Sequence, residues 1–218
     1  MVLCPIFAED FRVNMNQTST APWLFYAEAT PNPDAMKFVA NKAILPGNSL
    51  EFNDPSNVSE SPLAKEIFRF SFVKSVFISQ NFVTIVKHPG ALDWQEVISL
   101  VRTFLGSYFD EGRPVLTARP EKGSASAGTG VTAPGLDPDT LSELDRKIVS
   151  ILDEYIRPAV EGDGGAITFR SFKEGVVTVA MQGSCSGCPS STMTLKAGIE
   201  GLLRRMVPEV EKVVAENA

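Results

Sequence analysis

Two cysteines, Cys185 and Cys188, stand in a Cys-x-x-Cys spacing within Gly183-Ser184-Cys185-Ser186-Gly187-Cys188-Pro189. Thiols so spaced can chelate one edge of a soft metal centre, or cycle between dithiol and disulfide. An apolar run at 176–181 precedes them, and a helical run over 190–206 follows. The spacing therefore predicts a short loop between a strand and a helix N-terminus. The positive end of a helix and free backbone N–H groups stabilise thiolates, the form that binds metal. Gly183 and Gly187 let backbone approach a metal centre without a Cβ, and their N–H groups can donate to anionic sulfides. Ser190, Ser191 and Thr192 are suited to capping the helix that follows.

A zinc or iron–sulfur site takes about four protein ligands. The third cysteine, Cys4, falls in residues 1–14, which read as a mis-called start or a disordered tail, and the single histidine, His88, sits beside Pro89-Gly90 and reads as a surface turn residue. One chain thus supplies half a site. Two chains related by a two-fold axis supply four sulfurs, from Cys185 and Cys188 of each. Such a site is exposed and easily lost, which suits a protein that passes its cargo on. The competing chemistry is a thiol–disulfide oxidoreductase, which also sets Cys-x-x-Cys between strand and helix. Against it, no aromatic residue precedes Cys185 and the element order lacks a βαβ start. A structural zinc would need another Cys/His pair, and the sequence has none.

These cysteines must be held by a chain of 218 residues, long enough for one large domain or two small ones. Its formal net charge is −6 and no basic stripe is visible, which argues against nucleic acid as a partner. No apolar run approaches the ~18 residues of a membrane span. Acidic residues near the start, Glu9 and Asp10, argue against a signal or transit peptide.

Periodicity predicts two small α+β domains joined by a flexible linker. Residues 1–22 read as a disordered tail, and 23–112 as the first domain. Its strands are expected at 24–30 and 35–40, then at 73–79 and 82–87 around a Gln80-Asn81 turn. Pro46-Gly47-Asn48-Ser49 reads as a turn between elements. Ser61-Pro62 opens a short helix, and Asp93 caps a longer one ended by Gly112. Val97, Leu100, Val101, Phe104, Leu105 and Tyr108 give that helix one buried stripe. Residues 113–135, rich in Gly, Ser, Ala, Thr and Pro, read as the linker. The second domain, 136–218, reads α-β-β-α-β. Asp137-Pro138-Asp139 starts a helix with Leu141, Leu144, Ile148, Ile151, Leu152 and Tyr155 on its apolar stripe. Pro158 ends or breaks it, 161–165 form a glycine-rich loop, and 210–216 form a last strand.

Several spaced motifs then resemble one family. Arg157-Pro158, Asp163-Gly164-Gly165, Gly183-x-Cys185-x-x-Cys188-Pro189-Ser190-Ser191, Thr194-Leu195-Lys196-x-Gly198-Ile199-Glu200 and Pro208-Glu209 resemble the NifU C-terminal-like domain of the Nfu iron–sulfur proteins. Thr30-Pro31-Asn32-Pro33-x-x-Met36-Lys37-Phe38, Ser61-Pro62-Leu63-Ala64 and Val73-Lys74-Ser75-Val76-Phe77 resemble the Nfu N-terminal domain. One departure is Ala166, where the family often has a polar or acidic residue. The resemblance implies a non-enzymatic carrier that holds an iron–sulfur cluster, 4Fe–4S in the first instance and 2Fe–2S as the alternative. Cys185 and Cys188 carry over as the ligands of a cluster-bridged homodimer. Upstream assembly proteins would load it, and apo iron–sulfur enzymes would receive the cluster. The first domain would recognise donors or recipients, with no role for nucleic acid or membrane. The apparent lack of a transit peptide points to a bacterial cytoplasmic member.

Overall fold

The computed structural model describes residues 21–117, 141–185 and 189–217, with the backbone alone at 189–192 and 217. Two sheets organise it, each with its own apolar core.

The first sheet is antiparallel, in the order β1-β2-β5-β4-β3. Its strands are β1 (Phe25–Ala29), β2 (Ala35–Ala40), β3 (Leu45–Phe52), β4 (Val73–Gln80) and β5 (Phe82–Lys87). Helices α1 (Pro62–Ile67) and α2 (Trp94–Asp110) join the core on one face. Alternation along the strands sends Met36, Phe38, Val76, Ile78, Val83 and Ile85 to that face. Helix α1 has six residues, too few to be stable alone. It is held by burial of Leu63, Ala64 and Ile67 and by its cap. The Ser61 hydroxyl accepts from the Ala64 amide at 3.1 Å and donates to the Val115 carbonyl at 2.8 Å.

Expectation and structure part in several places. The Pro46-Gly47 turn is instead part of strand β3. That strand lies at the sheet edge and carries a register shift between Leu45 and Ser49, the two settings where a strand accepts proline. Leu100 leaves the predicted stripe and is 51% exposed, because the buried face of α2 runs through Val97, Val101, Leu105, Tyr108 and Phe109. Gly112, at φ +68, ends that helix as expected. Residues 113–117, assigned above to the linker, pack on the first domain instead. The Arg113 guanidinium lies 4.2 Å from the Tyr108 ring centre, and the Thr117 amide donates to Glu60. Pro22, assigned to the tail, accepts from the Asn41 side chain at 3.0 Å. The rest of the tail, with Cys4, and the linker from 118 onward lie outside the described residues.

The second domain follows the order α-β-β-α-β. Helix α3 (Glu143–Ile151) starts on a Ser142–Asp145 capping box. The expected start at Asp137-Pro138-Asp139 lies outside the described residues. Pro158 neither ends nor breaks the helical run. A π-helical turn, Leu152–Ile156, leads straight into α4 (Arg157–Gly162), with Pro158 in the first turn, where its missing N–H is no loss. The wide turn shifts the helical phase, so Tyr155 is 49% exposed rather than buried. Strands β6 (Gly165–Lys173) and β7 (Val176–Gly183) form a hairpin through Glu174 and Gly175, both at positive φ. Helix α5 (Pro189–Met206) crosses over, and β8 (Lys212–Asn217) pairs parallel to β7. The loop expected at 161–165 is a helix end and a two-residue turn.

Candidate functional site

Cys185 lies two residues past the end of β7 and precedes α5, the junction expected from its sequence setting. It is 4% exposed and packs with the core of its own domain. The Ser184 hydroxyl lies 3.7 Å from its sulfur and bonds to the Asp163 carbonyl. Cys188 and Gly187 lie outside the described residues, as do the side chains of Ser190, Ser191 and Thr192. The caps and N–H groups expected there are therefore not part of the described site.

Three glycines close the turn that carries Cys185. Gly165 pairs with Gly183 across β6 and β7. A Cβ on Gly183, at φ +73, would fall 2.6 Å from the Gly164 carbonyl oxygen and 2.9 Å from Gly165 Cα. A Cβ on Gly165 would fall 2.6 Å from the Gln182 oxygen and 3.1 Å from the Cys185 sulfur. Gly164, at φ +80, has Thr84 and Lys37 in the same relation. Gly183 thus lets backbone pass close against backbone at the Gly164-Gly165 turn. Asp163-Gly164 is a turn, as read from the sequence.

Residues of the first domain complete the surroundings, and these were not foreseen. The Thr84 hydroxyl donates to the Gly164 carbonyl at 2.7 Å, and the Asn32 amide nitrogen donates to the Ser184 carbonyl at 3.1 Å. The Asn32 side-chain oxygen accepts from the Asp34 amide at 3.0 Å, which fixes the direction of the amide. A Glu51 carboxylate oxygen accepts from the Gly183 amide at 3.0 Å. Further out, Lys37 donates to the Gly162 carbonyl and Gln80 to Glu161. Burial raises the Glu161 carboxyl above the usual carboxylate range, although Arg157 and Lys37 pull the other way. A signal for this contact was present in β5. Phe82-Val83-Thr84-Ile85-Val86 lacks the polar alternation of a sheet with one wet face.

Between the domains lies a cavity of about 360 Å³. Pro31 and Asn32 line one wall, and Asp163, Ser184, Cys185, Thr194 and Leu195 line the rest. Among the described residues no group of three or more His, Cys, Asp or Glu side chains could hold a metal ion. His88 is exposed in its turn, matching its reading as a surface residue. Among the described residues no helix is long and apolar enough to cross a membrane. A thiol so placed can ligate a soft metal centre or exchange with another sulfur.

Comparison with known proteins identifies both halves. Residues 148–214 match the model of the NifU-like domain, and residues 25–112 match that of the scaffold protein Nfu/NifU N-terminal domain. Among curated relatives, the human protein named NFU1 iron-sulfur cluster scaffold homolog, mitochondrial, is 37% identical over 184 residues, covering 84% of this chain and 68% of its own. The protein of the same name from Drosophila erecta is 40% identical over 188 residues, 84% of this chain and 62% of its own. The chain thus spans about two-thirds of the length of these relatives. A solution structure of a NifU-like protein from Saccharomyces cerevisiae aligns at 23% identity and a TM-score of 0.41, covering 51% of this chain and 98% of that one. The mitochondrial relatives overturn the expectation of a bacterial cytoplasmic member. That expectation leaned on a missing presequence, which the N-terminus of a given chain cannot decide.

Proposed function

The chain belongs to the Nfu family of iron–sulfur cluster scaffold proteins, and from that premise we propose that it carries a labile cluster between two subunits and delivers it to apo-proteins. The observation that carries this reading is the position of Cys185. Its thiol lines a cavity at a strand–helix junction, and no third ligand accompanies it among the described residues. Cys185 and Cys188 of each subunit would hold the cargo, 4Fe–4S or 2Fe–2S. Delivery is ligand exchange: each acceptor thiolate replaces one carrier thiolate at iron, with no net transfer of electrons. The protein is a carrier rather than an enzyme, and its setting is mitochondrial, as for its named relatives.

In this reading the first domain, from about residue 23 to 112, recognises donors or recipients. The stretch from about residue 118 to 135 tethers it to the cluster domain, 136–218, and lets it hold a client while the cargo moves. Loading comes from upstream assembly proteins, and recipients are apo iron–sulfur enzymes. Anaerobic reconstitution followed by transfer to an apo-aconitase-type acceptor tests the proposal. Activation of the acceptor by the loaded protein, and none by Cys185→Ala or Cys188→Ala, is the expected result. Insulin reduction by the metal-free dithiol, without cluster transfer, would instead make the protein an oxidoreductase.

A further inference from the structure

We propose that the first domain is a latch on the cysteine turn: docked, it shields Cys185, and its release is the step that exposes this thiol to a second subunit. The inference rests on the shared-cluster reading for its purpose, but not for its geometry.

The central strands of the first sheet, β2, β4 and β5, are largely buried on both faces. Helices α1 and α2 cover one, and the cluster domain meets the other. The residues that point away from the helices include Lys37, Phe77, Phe82 and Thr84, all nearly or fully buried. Phe77 and Phe82 lie 5.9 Å apart between ring centres, and the Lys37 ammonium sits 5.0 Å over the Phe82 ring. Phe77 also reaches the Gly183 turn.

The contacts fall on the backbone that presents the thiol. Glu51 takes the amide of Gly183, Asn32 the carbonyl of Ser184, and Thr84 the carbonyl of Gly164. The same Gly164 carbonyl accepts from the Ser184 amide at 3.3 Å, so both domains grip one oxygen. Pro31 and Asn32 stand across the cavity from Cys185, in the space a partner's ligands would need. The joint sets Phe77 and Phe82 beside these hydrogen bonds, a mixed apolar and polar contact of the kind by which domains of one chain meet and part. Water can replace its hydrogen bonds when the domains part, so release leaves few groups unsatisfied.

The test uses the full chain carrying Cys4→Ser and Cys188→Ser, which leaves Cys185 as the only thiol. Its rate of modification by N-ethylmaleimide is followed by mass, and domain separation by small-angle X-ray scattering. Thr84→Lys puts a charge into the buried joint and is expected to speed labelling roughly tenfold or more, with a larger radius of gyration. Gln80→Glu sets a second carboxylate against Glu161 on the exposed rim and is expected to speed labelling about threefold at low salt, less at high salt. Thr84→Ser keeps the hydroxyl and stays within about twofold of the parent. Equal rates in all four proteins overturn the proposal, because the shielding then belongs to the cluster domain alone. Should Thr84→Lys fail to fold by circular dichroism, the rim variant decides. No cluster is present in this assay, so a failure of the scaffold reading would show separately, at reconstitution.

Discussion

Replacing Gly183 by alanine should damage the cluster domain far more than the same change at Gly175 or Gly198 of that domain. The backbone there sits at φ +73, which costs an L-residue about 1–2 kcal/mol. The new Cβ would lie 2.6 Å from the Gly164 oxygen and 2.9 Å from Gly165 Cα, atoms of main chain that cannot rotate aside. Overpacking of this kind costs about 1–3 kcal/mol. Relief by moving β6 from β7 would lose the Ser184–Gly164 hydrogen bond, about another 1 kcal/mol. The sum is about 3–6 kcal/mol, a large share of the ~5–15 kcal/mol that keeps a domain folded. Gly175 is the control. Its φ is +77, but its Cβ would meet only the Glu211 side chain, at 3.0 Å, which can swing away. Gly175→Ala should cost about 1–2 kcal/mol. Gly198, in α5 with open space around it, should gain about 0.5–1 kcal/mol on the same change. Urea unfolding measures all three. Both tryptophans, Trp23 and Trp94, lie in the first domain, so their fluorescence follows that domain while far-ultraviolet circular dichroism follows both. A Gly183→Ala loss no larger than that of Gly175→Ala would refute the steric reasoning.

Two further predictions concern the first domain and the joint. Ser61→Ala removes a fully buried hydroxyl that caps α1 and holds the Val115 carbonyl, and should cost about 2 kcal/mol in fluorescence-detected unfolding. A loss below about 0.5 kcal/mol would mean that water replaces both bonds. Burial raises the Glu161 carboxyl, so the folded chain holds this proton more tightly than the unfolded one. Its contribution to stability is complete below the unfolded carboxylate range and is lost as pH climbs through the raised folded value. Glu161→Gln, always neutral, should therefore match the parent at the acid end and gain on it in melting temperature above that range. A parent that gains on the variant as pH rises contradicts the assignment.

The helices and most strands could be read from apolar spacing, because each element has a single dry face that dictates its period. Cys185 could be placed between strand and helix for the same reason. Pro46 and Pro158 misled for related physical reasons. Each removes one N–H, and the consequence depends on whether that N–H had a partner to lose. Edge strand β3 and the first turn of α4 had none. Tyr155 was misplaced because a π turn moves the helical phase by about one residue, which no composition rule reveals. The contribution of Asn32, Glu51 and Thr84 to the cysteine turn was hidden for a different reason. They lie between 80 and 152 positions away in sequence from the groups they bind: Thr84–Gly164 at 80, Glu51–Gly183 at 132 and Asn32–Ser184 at 152. Only the weak polar alternation of β5, with Thr84 the one polar residue between Phe82 and Val86, hinted that the first sheet had a second covered face.

The central claim is that one chain offers half a cluster site. It is tested most directly by counting iron and acid-labile sulfide per chain in the anaerobically reconstituted protein, together with its mass by analytical ultracentrifugation. The account predicts one cluster for two chains and a dimer that falls apart when the cluster is removed. One cluster per chain in a protein that stays monomeric would contradict it.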